Sequence, residues 1–243
     1  VDLKDALVVV TGGGSGIGRA IALTFWKAGS RVVVLGRDSA KLKRLEEETD
    51  TESAIRTFVC DVGDRSAVLD VFERIFANFG IPDILVNNAG VNVPNRDTKS
   101  LRPEDWDSMM LVNATGAFHC VYAVLPKMRT RRKGLIVNIV SISGKRVSRL
   151  AGVGYCASKF AMAALGLGVG LEEKENGIRV TNIYPGEVNT PILSQRPEPV
   201  PPDRLAAMLQ PEDIAHMVLA VAQLPDRVCV PEIVITPLYQ DYA

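Results

Sequence analysis

The sequence predicts an α/β fold in which a doubly wound, seven-stranded, mostly parallel sheet carries helices on both faces. Three observations predict it. Short β-branched runs alternate with longer amphipathic ones along the 243 residues. Several of the short runs are apolar throughout, as strands covered on both sides must be. A glycine run, Gly12 to Gly18, joins the first short run to the first amphipathic one.

The expected strands are Leu7–Val10, Arg31–Leu35, Arg56–Cys60, Ile84–Val86, Leu135–Val140, Arg179–Ile183 and Glu232–Ile235. Between them, apolar residues at helical spacing place helices near Ile17–Ala28, Ala40–Glu48, Arg65–Phe79, Pro103–Met128, Tyr155–Asn176 and Pro211–Gln223. Pro103 and Pro211 suit first-turn positions, and each is followed by acidic residues that favour a helix N-terminus. Repeated β-α-β units imply right-handed crossovers. No short repeat or splitting linker appears, so residues 1–243 read as one domain. The irregular stretch Thr190–Asp203 holds five prolines, and a folded pattern resumes after it. It reads as a mobile loop over a site rather than as a disordered linker.

Composition narrows the function. Lys+Arg and Asp+Glu stand at 28 each, so no global field would gather nucleic acid or an anionic membrane. The dense basic cluster Arg129, Arg131, Arg132 and Lys133 reads as a solvated loop capping a helix C-terminus. Four cysteines without C-x-x-C spacing and only two histidines make a metal site unexpected. Cys156 and His119 are expected to pack rather than react. Neither a charged-then-apolar leader at Val1 nor an uninterrupted membrane-spanning apolar run is seen. A cytoplasmic protein is the expectation.

The glycine run carries the first chemistry. In Thr11-Gly12-Gly13-Gly14-Ser15-Gly16-Ile17-Gly18, backbone must pass close to a pyrophosphate and then enter a helix whose first N–H groups point at it. Gly12, Gly16 and Gly18 remove Cβ atoms at the tight turn, the approach point and the helix–strand contact. The run follows Leu7-Val8-Val9-Val10 directly and opens a helix, the context that separates a dinucleotide seat from a merely structural turn.

A second constellation lies about 140 residues on, where Tyr155 and Lys159 stand four apart in Gly154-Tyr155-Cys156-Ala157-Ser158-Lys159. The spacing puts both on one helix face. Free tyrosine ionises near ~10, and an ammonium one turn away, with a bound oxidised nicotinamide as a second positive charge, favours the phenolate. Hydride transfer to or from a carbonyl carbon needs a matching proton on the oxygen, which such a phenol supplies.

With its G-x-x-x-G-x-G spacing and its Y-x-x-x-K pair, the chain resembles the short-chain dehydrogenase/reductase family in its compact, Rossmann-like form. The motifs follow the family's order from Thr11 to Thr190. The resemblance implies that Asn88, Ala89 and Gly90, in Asn87-Asn88-Ala89-Gly90, steady the sheet and border the adenosine ribose. It implies that Asp61 and Val62 meet the adenine. Gly14, Ser15 and Ile17 join the phosphate turn, and Pro185, Gly186, Val188 and Thr190 meet the nicotinamide side. Tyr155 is implied as acid/base, and Lys159 as the group that lowers its pKa and holds the ribose hydroxyls. Asn113 would support a water chain behind the lysine, and a serine after the fifth strand would hold the substrate oxygen. The S-x-x-G frame selects Ser141, which lies 14 residues before Tyr155; Ser143, 12 before it, is the alternative.

Cofactor choice turns on Val33-Val34-Leu35-Gly36-Arg37-Asp38. Where an NAD-binding fold usually carries an acid for the ribose 2′-OH, Gly36 stands instead, followed by Arg37, whose guanidinium can pair with a 2′-phosphate. Asp38 reads as the N-cap of the next helix. NADP(H) is therefore expected over NAD(H). The expected activity is interconversion of an alcohol and a ketone or aldehyde, on a small-molecule substrate; the resemblance implies a homodimer or homotetramer built on the two long helices, with the loop at 187–210 shaping the substrate pocket. A catalytically silent dinucleotide-binding regulatory protein is the alternative. The tail from Val230 lacks the family's Gly-Gly element, which leaves its contacts open.

Overall fold

The computed structural model describes residues 3–49 and 55–241; Val1 and the last two tail residues, Tyr242 and Ala243, lie outside them. Chain order gives β1 (Leu7–Thr11), α1 (Gly16–Lys27), β2 (Arg31–Gly36), α2 (Ser39–Glu48), β3 (Arg56–Val59), α3 (Arg65–Phe79) and β4 (Ile84–Asn87). Then come α4 (Pro103–Met110), a π turn (Leu111–Thr115), α5 (Gly116–Arg131), β5 (Gly134–Ile139), α6 (Val153–Glu173), β6 (Ile178–Pro185), α7 (Pro202–Ala207), α8 (Pro211–Gln223) and β7 (Glu232–Ile235). All seven expected strands are present, in the order β3-β2-β1-β4-β5-β6-β7. Every pairing is parallel rather than mostly so.

The apolar strands work on both faces because side chains alternate along them. In β1, Val8 and Val10 join Ile21 and Phe25 of α1 and Ile214 and Val218 of α8 in one core layer. Leu7 and Val9 point the other way, into a layer with Phe72 of α3 and Val121 and Val124 of α5. Burying a side chain of this size stabilises by roughly 1.5–3 kcal/mol, so β1, buried at all five positions, anchors the domain. The order reverses between β1 and β4, and the crevice at their carboxyl ends is where such sheets bind ligands.

Three differences from the sequence reading have local causes. The helix expected over Pro103–Met128 is broken at Leu111–Thr115 by the π turn. Its extra residue turns the Asn113 amide inward, to accept from Val91 N at 2.7 Å and donate to Val91 O at 2.9 Å. The basic cluster caps the C-terminus of α5 and is largely exposed, as expected, but it is ion-paired rather than simply solvated. Arg129 pairs with buried Glu173, Arg131 with Asp83 at 3.0 Å, and Lys133 with Asp226 at 2.9 Å. By length and composition, the helical stretches Pro103–Arg131 and Val153–Asn176 could cross a bilayer. In this fold they cover the sheet and bury Cys120, Val124, Met162 and Val169 in its cores.

An asparagine ladder that motif reading does not reveal crosses the sheet. Asn87, Asn138 and Asn182 sit in register on β4, β5 and β6. Asn87 Nδ2 donates to Asn138 Oδ1 at 3.0 Å, and Asn138 Nδ2 to Asn182 Oδ1 at 2.9 Å. A Cβ on Gly166 of α6 would lie 2.0 Å from Asn182 Oδ1, so only glycine lets that helix cover the ladder.

Candidate active site

A cleft of about 720 Å³ opens over the carboxyl ends of β1, β4, β5 and β6. Its floor at one end is the turn after β1. Gly12 adopts φ +64°, and a Cβ there would meet Ala89 Cα at 2.8 Å, so the β1 turn and the β4 turn touch through glycine alone. Asn88 locks the contact, with Nδ2 donating to Thr11 O at 3.0 Å and Gly12 O at 3.2 Å. Thr11 Oγ1 receives the backbone N–H groups of Asn88 and Ala89.

Helix ends separate this turn from its neighbours. Asp38 caps α2 by accepting from Lys41 N at 3.0 Å, and Asp64 caps α3 by accepting from Ser66 N and Ala67 N. At α1 the N-cap Ser15 makes no side-chain cap, and the first turn carries no acid. Its amide donors open on the cleft beside Gly12, Ser15, Gly16 and Ile17. That uncapped, acid-free end of the dipole, reached by backbone without Cβ atoms, fits a pyrophosphate. Along the same wall stand Arg37, Asp61 and Val62, with the Arg37 guanidinium 3.8 Å from the Asp61 carboxylate. Lys41, which the motif reading passes over, joins them one helical turn beyond Asp38.

The other end holds the titratable pair. Tyr155 and Lys159 project from α6 into the cleft with Ser141 and Ser143. Burial pushes the Tyr155 phenol up to about 12, against the pull of the Ser141 hydroxyl and of the Arg96 guanidinium. Burial likewise drives the Lys159 amine down to about 7. Lys159 Nζ donates to Ile139 O at 2.9 Å and lies 5.8 Å from the centre of the Tyr155 ring. Desolvation is thus the largest influence on the phenol, and the Arg96 guanidinium joins Lys159 as a cation beside it. Ser141 Oγ accepts from Ser143 N at 3.1 Å, which fixes the turn after β5.

Of the residues singled out in the sequence, Pro185, Gly186, Val188, Thr190 and Gly90 also line the cleft. Three do not. Gly14 faces Lys41 and Leu42, and Gly18 is buried, its Cβ position filled by Asn88 Nδ2 and Gly12 O. Asn113 lies behind the wall, donating from Nδ2 to Ser158 Oγ at 2.9 Å. A Cβ at Gly90 would sit 3.4 Å from Asn113 Oδ1 and 3.6 Å from Lys159 Nζ, so that glycine keeps open the space between amide and amine. Cys156 and His119 are buried, and His119 Nδ1 lies 2.9 Å from Val62 O.

The proline-rich segment forms a 3-10 turn, Pro191–Gln195, over the cleft, followed by α7. Its charges gather on Glu187, a hub that isolated charges in a loop do not announce. Glu187 accepts from Arg196 Nη2 at 2.9 Å, Arg204 Nη2 at 2.8 Å and Tyr239 Oη at 2.6 Å. Burial pushes its carboxyl up, but these bonds outweigh that and hold it below the ordinary range. The tail contacts left open by the sequence are thus made here: Gln240 Oε1 accepts from Glu187 N at 2.9 Å and reaches the cleft wall.

Comparison with known proteins agrees with this architecture. Residues 6–200 match the short chain dehydrogenase family. An uncharacterized oxidoreductase of Staphylococcus saprophyticus is 36% identical over 98% of this chain and 100% of its own length. An alcohol dehydrogenase of the archaeon Thermococcus sibiricus, complexed with 5-hydroxy-NADP, superposes with TM-score 0.88 at 26% identity, covering 98% of this chain and 99% of that one. The closed form of a serine dehydrogenase complexed with NADP+ gives TM-score 0.89 at 30% identity, covering 98% and 97%. Family match, end-to-end relatives and a Rossmann-like all-parallel sheet converge: the chain belongs to the short-chain dehydrogenase/reductase family of oxidoreductases.

Proposed function

We propose that this protein is an NADP(H)-dependent oxidoreductase that interconverts an alcohol and a ketone or aldehyde, with Tyr155 as the proton donor and acceptor. The observation that carries the reading is the meeting of Tyr155, Lys159 and Ser141 at one end of a cleft whose other end is the uncapped turn Gly12–Ile17. When bound, the nicotinamide supplies or receives the hydride, and its oxidised ring adds positive charge. Ser141 holds the substrate oxygen, Tyr155 gives it a proton in reduction and takes one in oxidation, and Lys159 with Asn113 restores the proton.

Magnitudes say that no single cation suffices. A phenol near 12 brought to about 8 needs roughly 5 kcal/mol of differential stabilisation. One charge near 6 Å, at an effective dielectric of about 20, supplies about 3 kcal/mol. Lys159 therefore needs a partner charge; the pull of Arg96 already stands in the value of about 12, so the oxidised nicotinamide is the one at hand.

The NADP preference rests on Gly36, which stands in place of the usual acid, and on the cations Arg37 and Lys41, half-exposed beside Asp61 at 3.8 Å and Asp38 at 3.3 Å and able to turn to a 2′-phosphate; the NADP-type ligands of the alcohol and serine dehydrogenases favour the same choice. A homodimer or homotetramer is supported by Phe118, Tyr122, Leu167 and Leu171, large apolar side chains exposed on α5 and α6. We place the protein in the cytoplasm, acting on a small molecule, without nucleic-acid or membrane partners. The test is NADPH oxidation across ketones, quinones and aldehydes, with Tyr155→Phe as control; NADPH binding without turnover on any of them favours a silent regulatory protein.

A further inference from the structure

We propose that Arg96 anchors a carboxylate on the substrate, so that the compound reduced in this cleft is an oxo acid and its product a hydroxy acid. The inference rests on the carbonyl-reductase reading above and names the substrate class of that same site.

Arg96 lies in the irregular segment after β4 and is 9% exposed. Its Nε donates to Val93 O at 2.7 Å, Nη1 to Leu150 O at 2.6 Å, and Nη2 to Gln195 O at 2.6 Å. All three acceptors are neutral carbonyls. A guanidinium carries five N–H donors, so two of them, one on each terminal nitrogen, have no acceptor among the described residues and can serve an anion's oxygens. Among the described residues no Asp or Glu lies within ion-pair distance of it, whereas Arg131, Arg179 and Arg196 each have one. Buried charge is costly without a counter-charge. Its neighbour makes this worse, since the charge felt from Arg196 is of the same sign.

The position is built for the purpose. A Cβ on Gly152, at φ +83°, would meet Arg96 Cβ at 2.5 Å, so glycine at the start of α6 admits the arginine-bearing segment. Arg96 lines the cleft with Tyr155 and Ser141, on a wall where the cations Arg37, Lys41, Arg96 and Arg196 and the Lys159 amine stand with only Asp61 and Glu187 as lining carboxylates. An anionic substrate supplies the missing charge. It also holds the carbonyl at Tyr155, where hydride reaches the carbon and the phenol's proton reaches the oxygen while the carboxylate is unchanged.

The experiment compares pyruvate, 3-oxobutanoate and 4-oxopentanoate with their methyl esters under saturating NADPH. At least one acid is expected to exceed its ester tenfold in kcat/KM. Arg96→Met should lose at least ten times more on that acid than on the ester, and Arg96→Lys, which keeps the cation, should retain part of the acid preference. Esters that equal their acids throughout, or equal losses on acid and ester in Arg96→Met, overturn the proposal and leave a loop clamp. If the wild type reduces none of the six, turnover on the wider panel of ketones, quinones and aldehydes decides whether the carbonyl-reductase reading has failed. Butanoate binding to the NADP+ complex, followed by calorimetry, then decides: weakening at least tenfold in Arg96→Met supports the anchor, and no binding or unchanged binding removes it.

Discussion

Lys159 Nζ donates to the carbonyl of Ile139 at 2.9 Å, at the end of β5, which places a buried amine beside the Tyr155 ring at the expense of its own charge. Folding holds that amine down to about 7 against its ordinary 10.5. Between those values the unfolded chain holds a proton that the folded chain has released, so stability rises with pH across the window. Without cofactor, Lys159→Met is expected to melt higher than the wild type at pH 6–7, with the advantage shrinking toward pH 10. Turnover should fall at least 100-fold. Paired melting curves across this range check the sign.

Cofactor choice should move with a single carboxylate. Gly36 ends β2, and a Cβ there meets the Leu42 side chain, nearest at Cδ2 at 3.3 Å, so a side chain is admitted with a small shift. Gly36→Asp is expected to raise the KM for NADPH at least tenfold and to shift preference toward NADH, by repelling a 2′-phosphate. Arg37→Ser should weaken NADPH alone. Steady-state kinetics with both cofactors measure it.

Asn113 satisfies both backbone polar groups of Val91 and braces Ser158. Asn113→Ala leaves those part-buried groups without their side-chain partner, at about 2 kcal/mol. For a chain of this size that is a loss of roughly 4–8 °C in Tm. Turnover should drop at least tenfold, because the space between the amide and Lys159 loses one wall. Calorimetry and single-turnover kinetics test the two effects separately.

Arg129 and Glu173 tie the end of α5 to the end of α6. The Arg129 guanidinium, with help from Asn176, holds the Glu173 carboxyl below its ordinary 4.5. A depressed carboxylate contributes stability that is present above the unfolded value and lost as pH falls through the folded one. Glu173→Gln is thus expected to cost about 1–2 kcal/mol near pH 7, since the arginine is half-exposed. Its deficit against the wild type should close below pH 4. Urea titrations at pH 7 and pH 3.5 read both ends.

The fold was legible because apolar runs such as Leu7–Val10 and Glu232–Ile235 carry their period in the residues themselves, and Pro103 and Pro211 mark their helix starts. The phosphate turn and the Tyr155–Lys159 pair were legible because each depends on close spacing. What escaped depends on distant partners. Arg96 meets Gln195 across 99 residues, and Glu187 meets Tyr239 across 52, with no periodicity to bring either pair together. The π turn escaped for another reason: it needs one extra residue in a helix, not a special residue type. The weight of burial at Tyr155 escaped as well, since desolvation depends on packing that no motif encodes.

The most direct test is the NADPH turnover of Tyr155→Phe beside its NADPH affinity. The phenol's hydroxyl is the proposed proton source, so carbonyl reduction is expected to fall at least 1000-fold while NADPH binds within threefold of the wild type. Reduction at more than a tenth of the wild-type rate in that variant contradicts the account.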